Sequence, residues 1–278
     1  MPLELFRYII PHEDNIDIVQ DVAPLAELEE YIDHIYVFSG VDKLFSNIVF
    51  SDGSPMIAIM EDKNGFVEFS DKKKLSKIYS AWFCSQIVEN THVNDFLVGT
   101  YLIVIKFNIL SFYKLFGVTP KQFREHNIGE LSMLFGLNSG LLIDKIYEFE
   151  SIENRLKIFQ KFLIENMVIS NLSKNALLSE AISIIIKEKG SSPIAGLTSK
   201  LSVNYKWIER NFASGTGIKP KEFAQMHRFL NAYVDMANNN LVDQHYLALK
   251  NGFYDQNHFI KCFKDFTSMT PKKSFSTR

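Results

Sequence analysis

Cysteine is scarce in this 278-residue chain: Cys84 and Cys262 stand far apart and match no metal-ligand spacing. That excludes a disulfide framework and a cysteine-built zinc site, and it fits a reducing cytoplasm with two packed thiols. No run of about eighteen apolar residues occurs, so no membrane-spanning helix is expected. The opening residues 1–15 show no basic segment leading into an apolar stretch, so no export signal is expected either. The chain has no Gly-x-Ser-x-Gly elbow and no glycine-rich phosphate cradle. Its seven histidines, at 12, 34, 92, 126, 227, 245 and 258, are scattered and lack the paired spacing of a zinc helix. The acid pairs Glu29-Glu30 and Glu61-Asp62 fall near expected loops and read as solvated surface. No catalytic residue, metal ligand or cofactor follows from these features, and catalysis is not the expected activity.

What the chain does have is a charge asymmetry. From Ser170 to the end there are fifteen Lys or Arg against eight Asp or Glu, leaving fifteen against twenty-four of the chain's 30 and 32 before that point. A front near −9 and a back near +7 point to two units, the second suited to a polyanion. The expected division is a front domain over 1–169, a linker over 170–177 and a back domain over 178–278.

The basic half repeats itself. With an offset of 51 residues, Tyr205-Lys206-Trp207-Ile208-Glu209-Arg210-Asn211-Phe212 falls on Gln256-Asn257-His258-Phe259-Ile260-Lys261-Cys262-Phe263. Thr216 then falls on Thr267 and Pro220 on Pro271. Each copy reads as a helix that stops at residues tolerant of left-handed backbone, or just before a proline.

In the second copy, Leu241–Lys250 is expected to be a short helix and Gly252 a tight turn packed by Phe253. Asp255 is expected to cap the next helix. There Phe259, Cys262, Phe263 and Phe266 form one buried stripe at i, i+3, i+4 and i+7. Gln256, Asn257, Ile260, Lys261 and Lys264 lie on the opposite face. Amides, lysines and one aliphatic side chain suit base edges, phosphates and a thymine methyl in a major groove.

The first copy has the same plan. A helix runs from about Pro193 to Leu201, a turn covers Ser202-Val203-Asn204, and a helix continues to about Ser214. Its outward face carries Tyr205, Lys206, Glu209 and Arg210. Between the copies, Lys221–Asn238 reads as a long amphipathic helix able to set the distance between two readers, about 34 Å for one face of a duplex. A bundle used only for protein contacts would account for the apolar spacing, but not for the repeat or the basic excess.

The run Gly252-Phe253-Tyr254-Asp255-Gln256-Asn257-His258-Phe259-Ile260-Lys261-Cys262-Phe263-Lys264, ending Met269-Thr270-Pro271, resembles the signature of the AraC/XylS family of bacterial transcription regulators. The resemblance covers roughly residues 178 to 275. It implies an all-α domain with two helix-turn-helix units joined by a central helix, each unit sending one recognition helix into the major groove. The positions matching the family's base-facing ones are Tyr205, Lys206, Glu209 and Arg210, then Gln256, Asn257, Ile260 and Lys261. The first unit departs from the pattern: Ser202 stands where glycine is common, and Glu209 repels phosphate unless it meets a cytosine amine.

The acidic half reads as α+β, antiparallel strands followed by helices. Expected strands are His34–Phe38, Asn47–Phe50, Met56–Met60, Gly65–Phe69, Ile78–Phe83 and Phe96–Phe107. Asp52-Gly53-Ser54-Pro55 is a turn signal and Asp62-Lys63-Asn64-Gly65 a hairpin signal. Helices are expected over Ile109–Phe116, after Thr119-Pro120 with Phe123 as anchor, and over Gly140–Phe149 and Ile152–Val168.

Val49–Pro55 and Gly99–Phe107, running on to Leu115-Phe116-Gly117, resemble the uncharacterised N-terminal domain of one branch of AraC-like regulators. That resemblance implies a domain that senses a small molecule, mediates dimerisation, or both. Tyr79, Trp82, Tyr101, Phe107 and Phe112 are the candidate lining of a ligand pocket. The stripe Ile152, Leu156, Phe159, Leu163 and Met167 suits a helix-helix seam, either with a second copy or against the chain's own sheet. Taken together, the expected protein is a cytoplasmic DNA-binding regulator. Its candidate partners are double-stranded DNA, RNA polymerase, a small-molecule effector and a second copy of itself.

Overall fold

The computed structural model describes residues 18–39, 51–70, 75–85, 91–97, 99–123, 127–168, 176–238 and 243–275. The expected strand Asn47–Phe50, most of the expected linker and Leu241 lie outside them.

The front half is built on two antiparallel sheets. The larger contains β1 (Ile18–Val22), β2 (Ile32–Ser39), β3 (Met56–Met60), β6 (Ala81–Cys84), β8 (Tyr101–Phe107) and β9 (Ile128–Glu130), in the order β1-β2-β8-β3-β6-β9. The smaller contains β4 (Phe66–Ser70), β5 (Leu75–Tyr79) and β7 (His92–Leu97), in the order β5-β4-β7. The larger sheet is buried on both faces, which is why its strands read as unbroken apolar runs.

Period-2 alternation assigns the residues of those strands. Ile35, Val37, Ile57, Ile59, Phe83, Ile103, Ile105 and Phe107 face one core under the helices. Tyr36, Phe38, Ala58, Met60, Trp82, Cys84, Leu102 and Val104 face a second core against Val67, Phe69, Ile78 and Val93 of the smaller sheet.

Two expected strands are each divided. Ile78–Phe83 breaks at Ser80, whose φ of 62° turns the chain from one sheet into the other. Phe96–Phe107 breaks at Gly99 (φ 85°), beside Thr100, whose N–H and hydroxyl both donate to the Glu61 carboxylate. The 62–65 segment is a turn, with the Asn64 N–H on Asp62 Oδ1 at 2.8 Å. It is not a hairpin, because β3 and β4, on either side of it, belong to different sheets.

Helices α1 (Phe112–Leu115), α2 (Ser132–Phe135), α3 (Asn138–Tyr147) and α4 (Ile152–Asn166), with a short 3-10 turn at Pro120–Phe123, supply the cover for the larger sheet. In α4, Leu156, Phe159 and Leu163 are buried in that core, and Ile152 and Met167 pack at its edge. The stripe is thus consumed by the chain's own sheet, which removes it as a seam between copies. Arg155, also on α4, is buried: its Nε donates to Phe149 O at 2.7 Å and its Nη1 to Glu61 O at 2.6 Å. Tyr147 donates to Met60 O and Ser80 O, so both side chains tie the helices to the sheet corner.

The back half is helical: α5 (Ala176–Lys187), α6 (Ile194–Lys200), α7 (Tyr205–Thr216), α8 (Pro220–Asn238), α9 (Gln244–Lys250), α10 (Gln256–Thr267) and α11 (Pro271–Phe275). The 19-residue α8 runs through the middle, touching α5, α7, α9 and α10. Its Phe229 stacks on Phe266 at 4.4 Å and its Tyr233 on Phe263 at 5.9 Å, so aromatic packing joins it to α10. Neither cysteine forms a disulfide and both are buried, and burial pushes the Cys84 thiol up to about 12.

Candidate nucleic-acid interface

The offset repeat recurs atom by atom. At the end of α6 the Leu201 N–H donates to Leu197 O, Ser202 adopts φ 52°, and the Val203 N–H donates to Thr198 O at 3.1 Å. At the end of α9 the Asn251 N–H donates to Leu247 O, Gly252 adopts φ 75°, and the Phe253 N–H donates to Ala248 O at 2.9 Å.

Each turn ends at a side-chain cap. Asn204 Oδ1 accepts from the Trp207 N–H at 2.8 Å, and Asp255 Oδ1 from the His258 N–H at 2.7 Å. Each following helix closes in the same way: Thr216 donates to Phe212 O and Thr267 to Phe263 O, both at 2.7 Å. Gly217 and Ser268 then turn left-handed, and Pro220 and Pro271 open the next helix. Two helix-turn-helix units, α6–α7 and α9–α10, therefore flank α8. The first holds a serine in the backbone region where the second has glycine, at a cost of about 1 kcal/mol.

The buried stripe of α10 is Phe259, Cys262, Phe263 and Phe266, as its spacing predicts. On the other side Asn257, Lys261 and Lys264 are exposed, and Gln256 and Ile260 are half-buried. Ile260 touches the core edge, and Gln256 Nε2 donates to Gln244 Oε1 of α9 at 3.2 Å. On α7, Tyr205, Lys206 and Arg210 are exposed and Glu209 is half-buried. Lys206, Arg210, Lys261 and Lys264 form no ion pair among the described residues, which leaves their charge available to phosphate. Residue-type reasoning missed Gln244, which holds Gln256, and Lys221, whose Nζ lies 5.8 Å from the Tyr205 ring. For Lys221 a signal existed, since the 51-residue offset places it on Lys272.

The front half docks on this assembly at three places. Gly53 (φ 89°) faces α8 so closely that a Cβ would lie 2.6 Å from Phe223 and 2.7 Å from Met226. Ile109 is buried in the back half's core, and Leu110 approaches Gly215 near the end of α7. The Pro120–Phe123 turn lies along α7.

At the first contact, Lys106 and Asp52 form a 2.7 Å ion pair with both side chains largely buried. Burial alone would raise the Asp52 carboxyl, but the Lys106 ammonium outweighs it and holds the carboxyl below its usual range. His227 of α8 lies beside them, packed edge-on against Phe223 at 4.6 Å. Burial pushes its pKa down to about 4 against the pull of the Asp52 carboxylate, so the imidazole is neutral.

The five aromatic candidates of the front half are divided: three share one core and two lie elsewhere. Phe107 and Phe112 meet edge-to-face at 5.2 Å within the helix-side core, where Tyr101 also lies. Trp82 faces the opposite core, and Tyr79 is exposed on the smaller sheet. Among the described residues no cluster of three or more His, Cys, Asp or Glu is placed to hold a metal ion. No described helix is long and apolar enough to cross a membrane.

No family model and no curated protein matches the chain. Among solved structures it is similar to an apo form of ToxT from Vibrio cholerae strain SCE256, at 13% identity over 94% of this chain and 95% of that one, TM-score 0.44. It is similar also to unsaturated fatty acid bound wild-type ToxT from the same strain, at 14% over 94% and 93%, TM-score 0.43. The AraC-like transcriptional activator CuxR matches at 14% over 74% and 75%, TM-score 0.24. These likenesses are distant, and the two helix-turn-helix units stand on the bonds and faces described above.

Proposed function

We propose that this chain is a sequence-specific DNA-binding transcription regulator of the AraC/XylS kind, acting by binding and not by catalysis. One observation carries the reading: two turn-cap-helix units, matched in their turn, cap and helix-end hydrogen bonds, present Tyr205, Lys206, Glu209 and Arg210 on α7 and Gln256, Asn257, Ile260, Lys261 and Lys264 on α10. At 1.5 Å per residue α8 is about 28 Å long, the scale of one turn of a duplex. The role of α7 and α10 is to enter successive major grooves, Gln256 and Asn257 reading bases and the lysines meeting guanine or phosphate.

The front half, expected over 1–169, is the input domain. It receives a small-molecule effector or a second copy, and its seat on α7 and α8 supports the reading that its state reaches the readers. RNA polymerase is the partner such a regulator addresses, and the cytoplasm is where it acts.

Selection of bound duplexes from a random pool tests the proposal and is expected to return two half-sites about one helical turn apart. Gln256→Ala or Lys261→Ala is expected to weaken binding to the selected site by about 1–3 kcal/mol. Recovery of no preferred sequence, or full binding by both variants, would overturn base readout by α10. Thermal-shift screening of metabolites against the full chain tests the input domain separately.

A further inference from the structure

We infer that Arg228, in the middle of α8, is a positioning residue that fixes the two readers relative to one another and so sets the half-site spacing the chain accepts. The inference rests on the DNA-reading function proposed above and concerns the joint, not the reading faces.

Three stretches of backbone converge at this point. Helix α5 leaves through Lys189 (φ 55°) and Gly190 (φ 68°), and a Cβ on Gly190 would lie 2.0 Å from Ala224 O of α8. The lead-in to the first unit therefore runs backbone against backbone along the connecting helix. One turn further along α8, Arg228 Nη1 donates to Gly252 O at 3.1 Å, and its guanidinium lies 5.7 Å from the Phe253 ring. Gly252 is the left-handed residue that turns the chain toward α10. A Cβ there would meet Ser191 Cβ at 3.0 Å and Arg228 Cδ at 3.6 Å. Ser191 follows Gly190, so the lead-in of one unit touches the turn of the other across the Arg228 side chain.

Arg228 forms no ion pair among the described residues, and its Nε is buried without a hydrogen-bond partner. A guanidinium without a carboxylate partner, and with its Nε buried and unbonded, is costly to place. What the site obtains is a bond to the turn carbonyl and a cation–π approach to the turn's aromatic. The second tie, Asp235 Oδ2 accepting from Asn251 and Lys250 at 2.9 Å each, holds the end of α9 to α8 without touching the first unit.

A rigid joint makes two half-sites act as one ligand. Adding one base pair between them displaces the second by about 3.4 Å and rotates it by about 35°, which a fixed joint cannot follow.

The experiment uses the full chain on a duplex that it selects from a random pool. That duplex is compared with versions whose spacer is one base pair longer or shorter, and with the isolated half-site read by α10. The wild type is expected to prefer the selected spacing by about 10-fold or more. Arg228→Ala is expected to reduce that preference to about 2-fold while half-site affinity stays within about 2-fold of wild type. Arg228→Lys, which keeps a cationic donor on a long stem, is expected to restore part of it.

An unchanged spacing preference in Arg228→Ala, with Lys261→Ala still losing affinity, would overturn the positioning role and leave DNA reading intact. Equal loss at every spacing and at the half-site, unrelieved in Arg228→Lys, would reduce Arg228 to a structural residue and likewise overturn the inference. Absence of any specific binding by the wild type would overturn both.

Discussion

His227→Leu at the seam between the halves separates a neutral buried imidazole from an ordinary surface histidine. The side chain is packed on Phe223, near the Asp52–Lys106 pair, with Nε2 buried and lacking a hydrogen-bond partner among the described residues. Its pKa falls from 6.5 in the unfolded chain to about 4 in the folded one. Below about pH 6.5 the unfolded chain takes up a proton that the folded chain refuses, so stability falls as pH drops and levels off below about 4. At about 1.4 kcal/mol per pKa unit the full penalty is about 3 kcal/mol, of which about 2 is already present at pH 5.

Two carboxyls share the neighbourhood and act differently. Burial raises Asp33, so its contribution runs the opposite way, with stability rising as pH falls toward its unfolded value. Asp52, held low by Lys106, loses its contribution only below the usual carboxylate range. Both remain in the variant, so the difference between wild type and variant isolates the imidazole. For a chain of this size about 2 °C accompanies each kcal/mol. Thermal unfolding at pH 7.5 and pH 5 should show the wild type losing about 4 °C more than His227→Leu. Equal losses would refute the buried, neutral state.

Gly53→Val places a branched Cβ against Phe223 in left-handed backbone and is expected to cost about 3 kcal/mol, seen as a lower Tm. A neutral result would mean that the 51–55 turn does not press on α8. Asp255→Ala removes the cap on the His258 N–H and is expected to cost about 1 kcal/mol in thermal unfolding, with Asp255→Asn close to wild type. Glu209→Gln removes an acid from the α7 face and is expected to tighten binding to random-sequence DNA about 2- to 5-fold at low salt. If fluorescence anisotropy finds no change, Glu209 lies away from the phosphates.

The elements were legible where local chemistry decides them. Met56–Met60 emerges as a short apolar run bounded by turn signals, and the α10 stripe from its period and cap, because run length and i, i+3, i+4 spacing are properties of the segment. The corners were not. Ser80 and Gly99 sit inside stretches read as single strands, because a lone serine or glycine in a strand pattern marks a bulge as readily as an end, and what bends the chain there is the second sheet. Arg155 could not be singled out either: its partners are backbone carbonyls, of Phe149 just before its own helix and of Met60 and Glu61 at the distant end of β3, and carbonyls leave no mark in a sequence. The five aromatics of the front half looked like one lining because sequence distance hides which face of a strand each occupies. Alternation sends Trp82 and Phe107 to opposite cores. Gly53 read as a turn glycine, while its closeness to Phe223 depends on how the two halves meet.

The unequal readability of the two units has a physical counterpart in how each is supported. The second turn has one more residue than the first, Tyr254, and a glycine at the left-handed position, and it is held from within the back half by Arg228 and by the Asp235–Asn251 bond. The first strains Ser202 into the same backbone region, and its α7 is braced by the front half, through Leu110 at Gly215 and the Pro120–Phe123 turn. A rearrangement in the front half therefore meets α7 directly and reaches α10 only through α8. Under the DNA-reading function proposed above, the second unit would anchor the chain irrespective of the input. The first, with its acid on the outward face and its support borrowed from the other half, would be the one whose engagement the input changes.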